Sequence, residues 1–298
     1  FPQAADAAGV MASGYRIELM KDGKVVMTAS KTSGVLTLTP PETLTHKLGG
    51  LNESGKYTVL VTPINIFGDD GPAILADVKY TYSVESDEMA AADILDIRVE
   101  GNTVKDFSPN GYEIVKKGQV TVTETDLGPA MEFSGNGNYA VSGVKNHYTA
   151  MESGFTMELY FTTPADLSGF HSVASNMHAG GYGMDWENGI FTFSVRIGGS
   201  YLGVDYEMMP ETAYHAVGVY TGHSVKLYIN GALAGETAVS GSLVHPTDNG
   251  AKYLCIGADS DATGAGEYPC KGLVYLVRMY TAVANDGQAR YLYEQIQK

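Results

Sequence analysis

Hydrophobic residues along this chain recur at every second position in short runs, and almost nowhere at the spacing of a helix. The clearest runs are Tyr15-Arg16-Ile17-Glu18-Leu19, Tyr57-Thr58-Val59-Leu60-Val61, Phe191-Thr192-Phe193-Ser194-Val195 and Val225-Lys226-Leu227-Tyr228-Ile229. Alternation of this kind sends successive side chains to opposite faces of a strand. Turn residues punctuate the runs: Asn188-Gly189 precedes one strand, Asn230-Gly231 follows another, and Glu53-Ser54-Gly55 leads into a third. Asn-Gly readily supplies the positive φ angles that a two-residue hairpin needs. The pattern predicts an all-β chain of sandwich type. Helix is expected only in the acidic, Ala-containing stretch 86–92 and in residues 286–297.

The polar, acidic stretch 84–92 marks a boundary, giving a first domain over 1–85, a linker over 86–92 and a second domain over 93–298. With 44% hydrophobic and 18% charged residues, the chain has the composition of a globular protein. The net charge of −15 is uneven, with −2 on residues 1–85 and −13 on the rest. Such an acidic chain is repelled by a phosphate backbone and favours cations over anions, which argues against nucleic acid as a partner. No run of roughly 18 apolar residues exists to cross a membrane as a helix.

Residues 48–67 place Leu51 before a Gly-containing turn and Tyr57 at the start of an alternating strand, followed by Asn65-Ile66-Phe67-Gly68. This arrangement resembles the tyrosine corner of a fibronectin type III module. Only about fourteen residues precede the strand at Tyr15, too few for that family's first two strands. The expectation is either a reduced domain or, as the start at Phe1-Pro2-Gln3-Ala4 favours, a module truncated at its N-terminus, its first strands encoded upstream. Its expected role is that of a spacer or a protein-contact surface.

From Ile94 onward, eight segments occur in order: Asp106-Phe107-Ser108-Pro109-Asn110-Gly111, residues 130–137, Phe155–Phe161 as a strand, Gly180-Gly181-Tyr182-Gly183-Met184, residues 214–220, Lys226 to Gly231, Leu254 to Asp259, and Lys271 to Tyr280. Together they resemble the laminin-G-like branch of the concanavalin A-like lectin/glucanase sandwiches. The resemblance implies a jelly roll of two antiparallel sheets, with Phe133, Met157, Leu159, Phe191, Phe193, Leu227 and Ile229 in the core between them. The fold class is therefore a fibronectin type III-like sandwich followed by a concanavalin A-like jelly roll.

The resemblance also implies candidate chemistry. Calcium takes six to eight oxygens, and Asp106, Asn110, Asp259 and Asp261 are the candidate donors. Tyr275 stands where the family has an aspartate, and turn formation is the competing role for these Asx residues. A sugar site needs aromatic faces and a few polar groups, and Tyr182, Asp185, Trp186, Tyr201, Asp205 and Tyr206 are its candidates, with strand packing as the alternative. Tyr182 and Trp186 share one sheet face through the period of two.

Catalytic signatures are missing. Laminarinase-like relatives carry paired carboxylates on one strand, whereas the matching stretch from Glu158 to Phe161 offers one acid without a partner. No nucleophile elbow, zinc helix or phosphate loop occurs, and His171, His178 and His215 read as structural. Cys255 and Cys270 form one disulfide if their strands are adjacent, or remain thiols. The resulting expectation is a non-catalytic accessory region of a secreted or surface bacterial protein that binds carbohydrate or protein. It is similar to the C-terminal region behind calcineurin-like metallophosphoesterase domains, so an upstream catalytic domain is the expected partner within the polypeptide. The alternatives are a glycoside hydrolase or lyase using Asp185, Glu187 and Asp205, and a scaffold without a ligand.

Overall fold

The structure, a computed structural model, describes residues 14–32, 55–80, 87–247, 253–261, 263 and 265–298. The chain divides into two compact units, Phe1–Glu85 and Ser86–Lys298.

Among its described residues the first unit contains four antiparallel strands, β1 (Gly14–Lys21), β2 (Lys24–Thr32), β3 (Gly55–Ile64) and β4 (Ile74–Tyr80), in the order β2-β1-β3-β4. Asp22 and Gly23 both take positive φ in the two-residue turn between β1 and β2, as that hairpin type requires. Tyr15, Ile17 and Val61 form a small core and Tyr57 is buried. Leu51 and residues 53–54, which the tyrosine-corner reading also uses, lie outside the described residues, as does the start at residues 1–4.

The second unit is a two-layered β-sandwich. Its strands are β5 (Leu95–Glu100), β6 (Thr103–Asp106), β7 (Ile114–Thr125), β8 (Gly128–Val141), β9 (Phe155–Thr162), β10 (Phe170–Ser175), β11 (Tyr182–Glu187), β12 (Ile190–Ile197), β13 (Ser200–Glu207), β14 (Ala213–Tyr220), β15 (Ser224–Ile229), β16 (Ala232–Ala238), β17 (Leu254–Ile256) and β18 (Lys271–Tyr280). Among the described residues a short 3-10 helix (Gly143–His147) and two α-helices, α1 (Tyr148–Met151) and α2 (Asp286–Ile296), accompany them.

Hydrogen bonding runs continuously in the order β13-β12-β11-β10-β17-β8-β18-β9-β14-β15-β16. The long strand β8 makes this possible by serving both layers. Its first half pairs with β18 through Met131 to Ser134, and its second half pairs with β17 through Tyr139 to Val141. Between them lies Gly135 at φ +85, and a Cβ on the facing Gly118 of β7 would stand 2.2 Å from the Asn136 carbonyl oxygen. Glycine is what allows the β7–β8 ribbon to fold over the corner.

Between the layers the seven residues expected in the core are all buried. Phe155 of β9 packs on Tyr182 of β11 with ring centroids 4.7 Å apart, and Phe161 of β9 stacks on Phe191 of β12 at 5.2 Å. Gly218 of β14 leaves room for a ring, since a Cβ there would lie 2.4 Å from Phe193. Close packing of this kind tolerates little added volume.

The two outer faces of the sandwich differ. One, made by β9, β14, β15 and β18, is covered. Helix α2 starts with a capping box between Asn285 and Gln288. It packs Ala289 and Leu292 with Val217, Val219, Tyr228 and Tyr280. Met89 and Ala92, from the stretch expected to link the domains, join the same cluster. On this face Glu158 is fully buried and partnered: His215 Nε2 lies 2.9 Å from Oε1, the Tyr280 hydroxyl donates to Oε2 at 2.5 Å, and Arg278 Nη1 lies 3.4 Å from Oε1. Arg278 Nε also donates to Asp96 at 3.0 Å. The acid that looked solitary in the sequence therefore has partners on two neighbouring strands.

Burial alone would push the Glu158 carboxyl up. The hydrogen bond and charge of His215, the charge of Arg278 and the Tyr280 hydroxyl outweigh it and hold the group below the ordinary carboxylate range. A carboxyl with a lowered folded pKa contributes stability that is present above its unfolded value and lost as the pH falls through the folded value. Thermal unfolding between pH 2 and 7 should thus show the E158Q variant destabilised near neutrality by about 3–5 kcal/mol. The gap to wild type should narrow below about pH 4.

Candidate functional site

The other outer face, made by β10 to β13, has no helix over it among the described residues. The Asn188-Gly189 turn, with φ of +49 and +83, fixes the register of β11 on β12. Asp185 therefore stands opposite Thr192, and Thr192 opposite Asp205 on β13. The next row is Gly183, Ser194 and Gly203. Both rows face outward, because the intervening Met184, Trp186, Phe191 and Phe193 fill the core.

These rows form the floor of an open cleft of about 700 Å³, lined by Phe170, Met177, Asp185, Glu187, Thr192, Ser194, Tyr201, Gly203, Asp205, Asp259 and Tyr268. At one side the Tyr201 hydroxyl donates to the Met177 carbonyl at 2.5 Å, and the Arg196 guanidinium lies over the Tyr201 ring at 4.7 Å. At another, Phe170 meets Tyr268 edge to face, with centroids 4.9 Å apart. Tyr268 is half exposed and sits at φ +50, an uncommon backbone conformation for an aromatic residue. Its carbonyl accepts from Ser172 N at 3.0 Å, which ties that turn to the sheet.

The sugar-site candidates divide between two faces. Asp185, Tyr201 and Asp205 line the cleft. Tyr182 and Trp186 do share a face, as their spacing requires, but it is the inner one: they are 0% and 1% exposed and belong to the core. Tyr206 turns inward as well, edge-on to Tyr214 at 6.0 Å. Strand packing accounts for these three aromatics. Phe170, Met177 and Tyr268, which the sequence did not single out, supply the apolar walls instead.

The calcium candidates are not brought together. Asp106 accepts hydrogen bonds from the backbone of Asp96, Ser108 and Tyr112 and from the Ser108 hydroxyl, at 2.8–3.0 Å. Asn110 turns its amide nitrogen to the carbonyls of Asp93 and Ile94 at 2.8 and 3.0 Å. Asp261 receives Thr263 and Ala265 in its own loop. Among the described residues no group of three or more His, Cys, Asp or Glu is placed to hold a metal. Donors already aimed at these carboxylates are the wrong polarity for a cation, and the residues do not fit a shared calcium ion. Asp259 has a different place: it lines the cleft and accepts from the Ser175 hydroxyl, Met177 N and Ser260 N at 2.5–2.8 Å.

Cys255 and Cys270 are both buried free thiols, and burial pushes the Cys255 thiol up to about 12. His171 is a structural residue at the edge of β10, its ring nitrogens 2.7 and 3.0 Å from the carbonyls of Pro269 and Ser168.

Asp185 is the unusual group of the cleft. It is 6% exposed, and among the described residues neither a hydrogen bond nor a cation offsets its burial. Desolvation, then the charges of Asp259, Asp205 and Glu187, raise its carboxyl to about 7.

A family model described as the concanavalin A-like lectin/glucanases superfamily, of laminin G type, matches residues 134–289, just over half of the chain. No curated protein matches the sequence. Among solved structures, the binding domain of botulinum neurotoxin DC in complex with rat synaptotagmin II is similar, with a TM-score of 0.57 and 13% identity, covering 69% of this chain and 52% of that one. A second is from botulinum neurotoxin type C, whose cell entry is dependent upon interaction with two ganglioside molecules; it has a TM-score of 0.54 and 12% identity and covers 70% and 52%. The likeness is one of fold, and this chain spans about half the length of those structures.

Between about pH 4, where an unfolded aspartate ionises, and pH 7, folded Asp185 keeps a proton that the unfolded chain has released. Its contribution to stability therefore falls as the pH rises through that window. The D185N variant should match wild type near pH 4 in thermal unfolding and exceed it at pH 8, by up to about 4 kcal/mol.

Proposed function

Because the chain belongs to the concanavalin A-like lectin/glucanases superfamily, we propose that its second unit is a non-catalytic carbohydrate-binding module whose site is the cleft on β10 to β13. The observation that carries this reading is the composition of the cleft: exposed tyrosines at its rim and carboxylates on a flat sheet floor. Pyranose rings present apolar faces to aromatic side chains and hydroxyls to acceptors, and a few fixed polar groups orient them. Of the toxins with similar folds, one depends on interaction with two ganglioside molecules for cell entry and another has its binding domain in complex with rat synaptotagmin II, which supports recognition as the role.

The accessory placement is part of the same proposal. The laminin-G-like resemblance supports a secreted or surface location in a bacterium, and no described helix is long and apolar enough to cross a membrane. The Tyr57 segment supports a fibronectin type III-like spacer in the first unit. The order of the two modules supports service to a catalytic domain elsewhere in the polypeptide, as in calcineurin-like metallophosphoesterases.

A hydrolase or lyase is the second reading, and one observation favours it. Asp185 holds its proton to about pH 7, with Glu187 two residues along the same strand and Asp205 two strands across. An acid and a carboxylate held apart across a cleft are the parts of a glycosidase.

A glycan array on the full chain, with and without EDTA, separates the readings. We expect hits that EDTA leaves unchanged, and at least tenfold weaker binding to those hits in Y201A and Y268A. Cleavage of the bound oligosaccharide would favour the enzyme. An array without hits, or tyrosine variants that bind like wild type, would refute the cleft.

A further inference from the structure

We propose that the glycan this cleft takes carries an amine, as an oligosaccharide of amino sugars with free ammonium groups; the proposal rests on the carbohydrate reading above and narrows it. Four acidic side chains, Asp185, Glu187, Asp205 and Asp259, line the cleft, and its described lining holds no Lys, Arg or His. The one nearby cation described above, Arg196, lies over the Tyr201 ring and is not part of the lining.

A cluster of acids alone is a common surface feature. Here one member, Asp185, is nine-tenths buried, has no hydrogen-bond partner among the described residues and lines the cleft. Ser172, directly across from Asp185 on β10, is 0% exposed, and its hydroxyl is without a partner. Buried polar groups left unsatisfied cost stability, and of the two it is Asp185 that lines the cleft, where an incoming group supplies what the protein lacks. An ammonium offers three donors and a positive charge. A neutral sugar offers hydroxyl donors but leaves the like charges unopposed, and an acidic sugar adds to the repulsion.

The same walls fit a cationic ring better than a cationic peptide. Tyr201 and Tyr268 are 37% and 50% exposed at the rim, where an aromatic face attracts an ammonium as well as a sugar face. The row of Gly183, Ser194 and Gly203 leaves the floor low beside Asp185. Strands β11 and β12 of that floor are hydrogen-bonded on both sides, so an extended peptide, commonly read through a free sheet edge, would add beside β13 and not over Asp185.

The test is calorimetric titration of the full chain near neutral pH and low salt with β-1,4-linked oligomers of glucosamine, N-acetylglucosamine and glucose of equal length, and with oligolysine. Glucosamine oligomers should bind at least tenfold more tightly than the other two sugars. The exposed-site variants D205N and E187Q should each reduce that preference at least threefold, and E113Q, outside the cleft, should leave it unchanged. Equal or tighter binding of the acetylated or neutral oligomer would overturn the amine assignment and leave the carbohydrate site standing. No binding by any sugar would overturn both. Tighter binding of oligolysine would transfer the cation preference to peptides, and a loss in E113Q equal to that in D205N would reduce it to general attraction by an acidic chain; either result overturns the proposal.

Discussion

Each residue of β11, β12 and β13 can serve only one face of the sheet, and that constraint decides what this protein is able to do. The inner face must fill the space opposite Phe155, Phe161 and Gly218. It does so with Tyr182, Met184, Trp186, Phe191 and Phe193, whose burial provides much of the driving force for folding. The residues between them are then fixed on the outside, where Asp185, Glu187, Thr192, Ser194 and Asp205 become the floor of a cleft. A slip of one residue in register would exchange the two sets and bury the acids. The Asn-Gly turn after β11 holds the register against that slip.

Two buried acids on opposite outer faces show how differently the fold treats the same chemistry. Glu158 lies under α2 with His215, Arg278 and Tyr280 around it, and its partners more than offset the cost of burial. Asp185 lies under no described helix, its charged neighbours are other carboxylates, and burial raises it to about 7. The first arrangement is complete and acts to hold strands and helix together. The second is incomplete, and an incomplete polar site facing an open cleft is where a ligand contributes most.

Much of the architecture was legible in the sequence because it depends on local rules. Period-two alternation and the Asn-Gly turns at 188–189 and 230–231 locate strands without reference to anything distant, and the core residues from Phe133 to Ile229 follow from that alternation. The site was legible only in part. The spacing of Tyr182 and Trp186 shows that they share a face, yet not which face, since that is decided by β9 packing from across the sandwich. Asp259 and Tyr268 reach the cleft through the pairing of β17 with β8 and β10, a long-range arrangement with no local signature. The partners of Glu158 come from positions 215, 278 and 280, too distant in sequence for any motif to connect them. Asp106 and Asn110 are compatible in sequence with calcium donation as well as with turn formation, and it is the N–H groups aimed at Asp106 that distinguish the two.

Thiol accessibility tests the assignment of faces most directly. With Cys255 and Cys270 replaced by alanine, single cysteines are introduced at Glu187 and Asp205 on the outer face and at Met184 and Val195 on the inner one. In the folded protein a maleimide should label the first pair within minutes and the second pair only after denaturant is added. Rapid labelling at 184 and 195 with protection at 187 and 205 would mean that the register is inverted, and the cleft with its unpartnered aspartate would not exist.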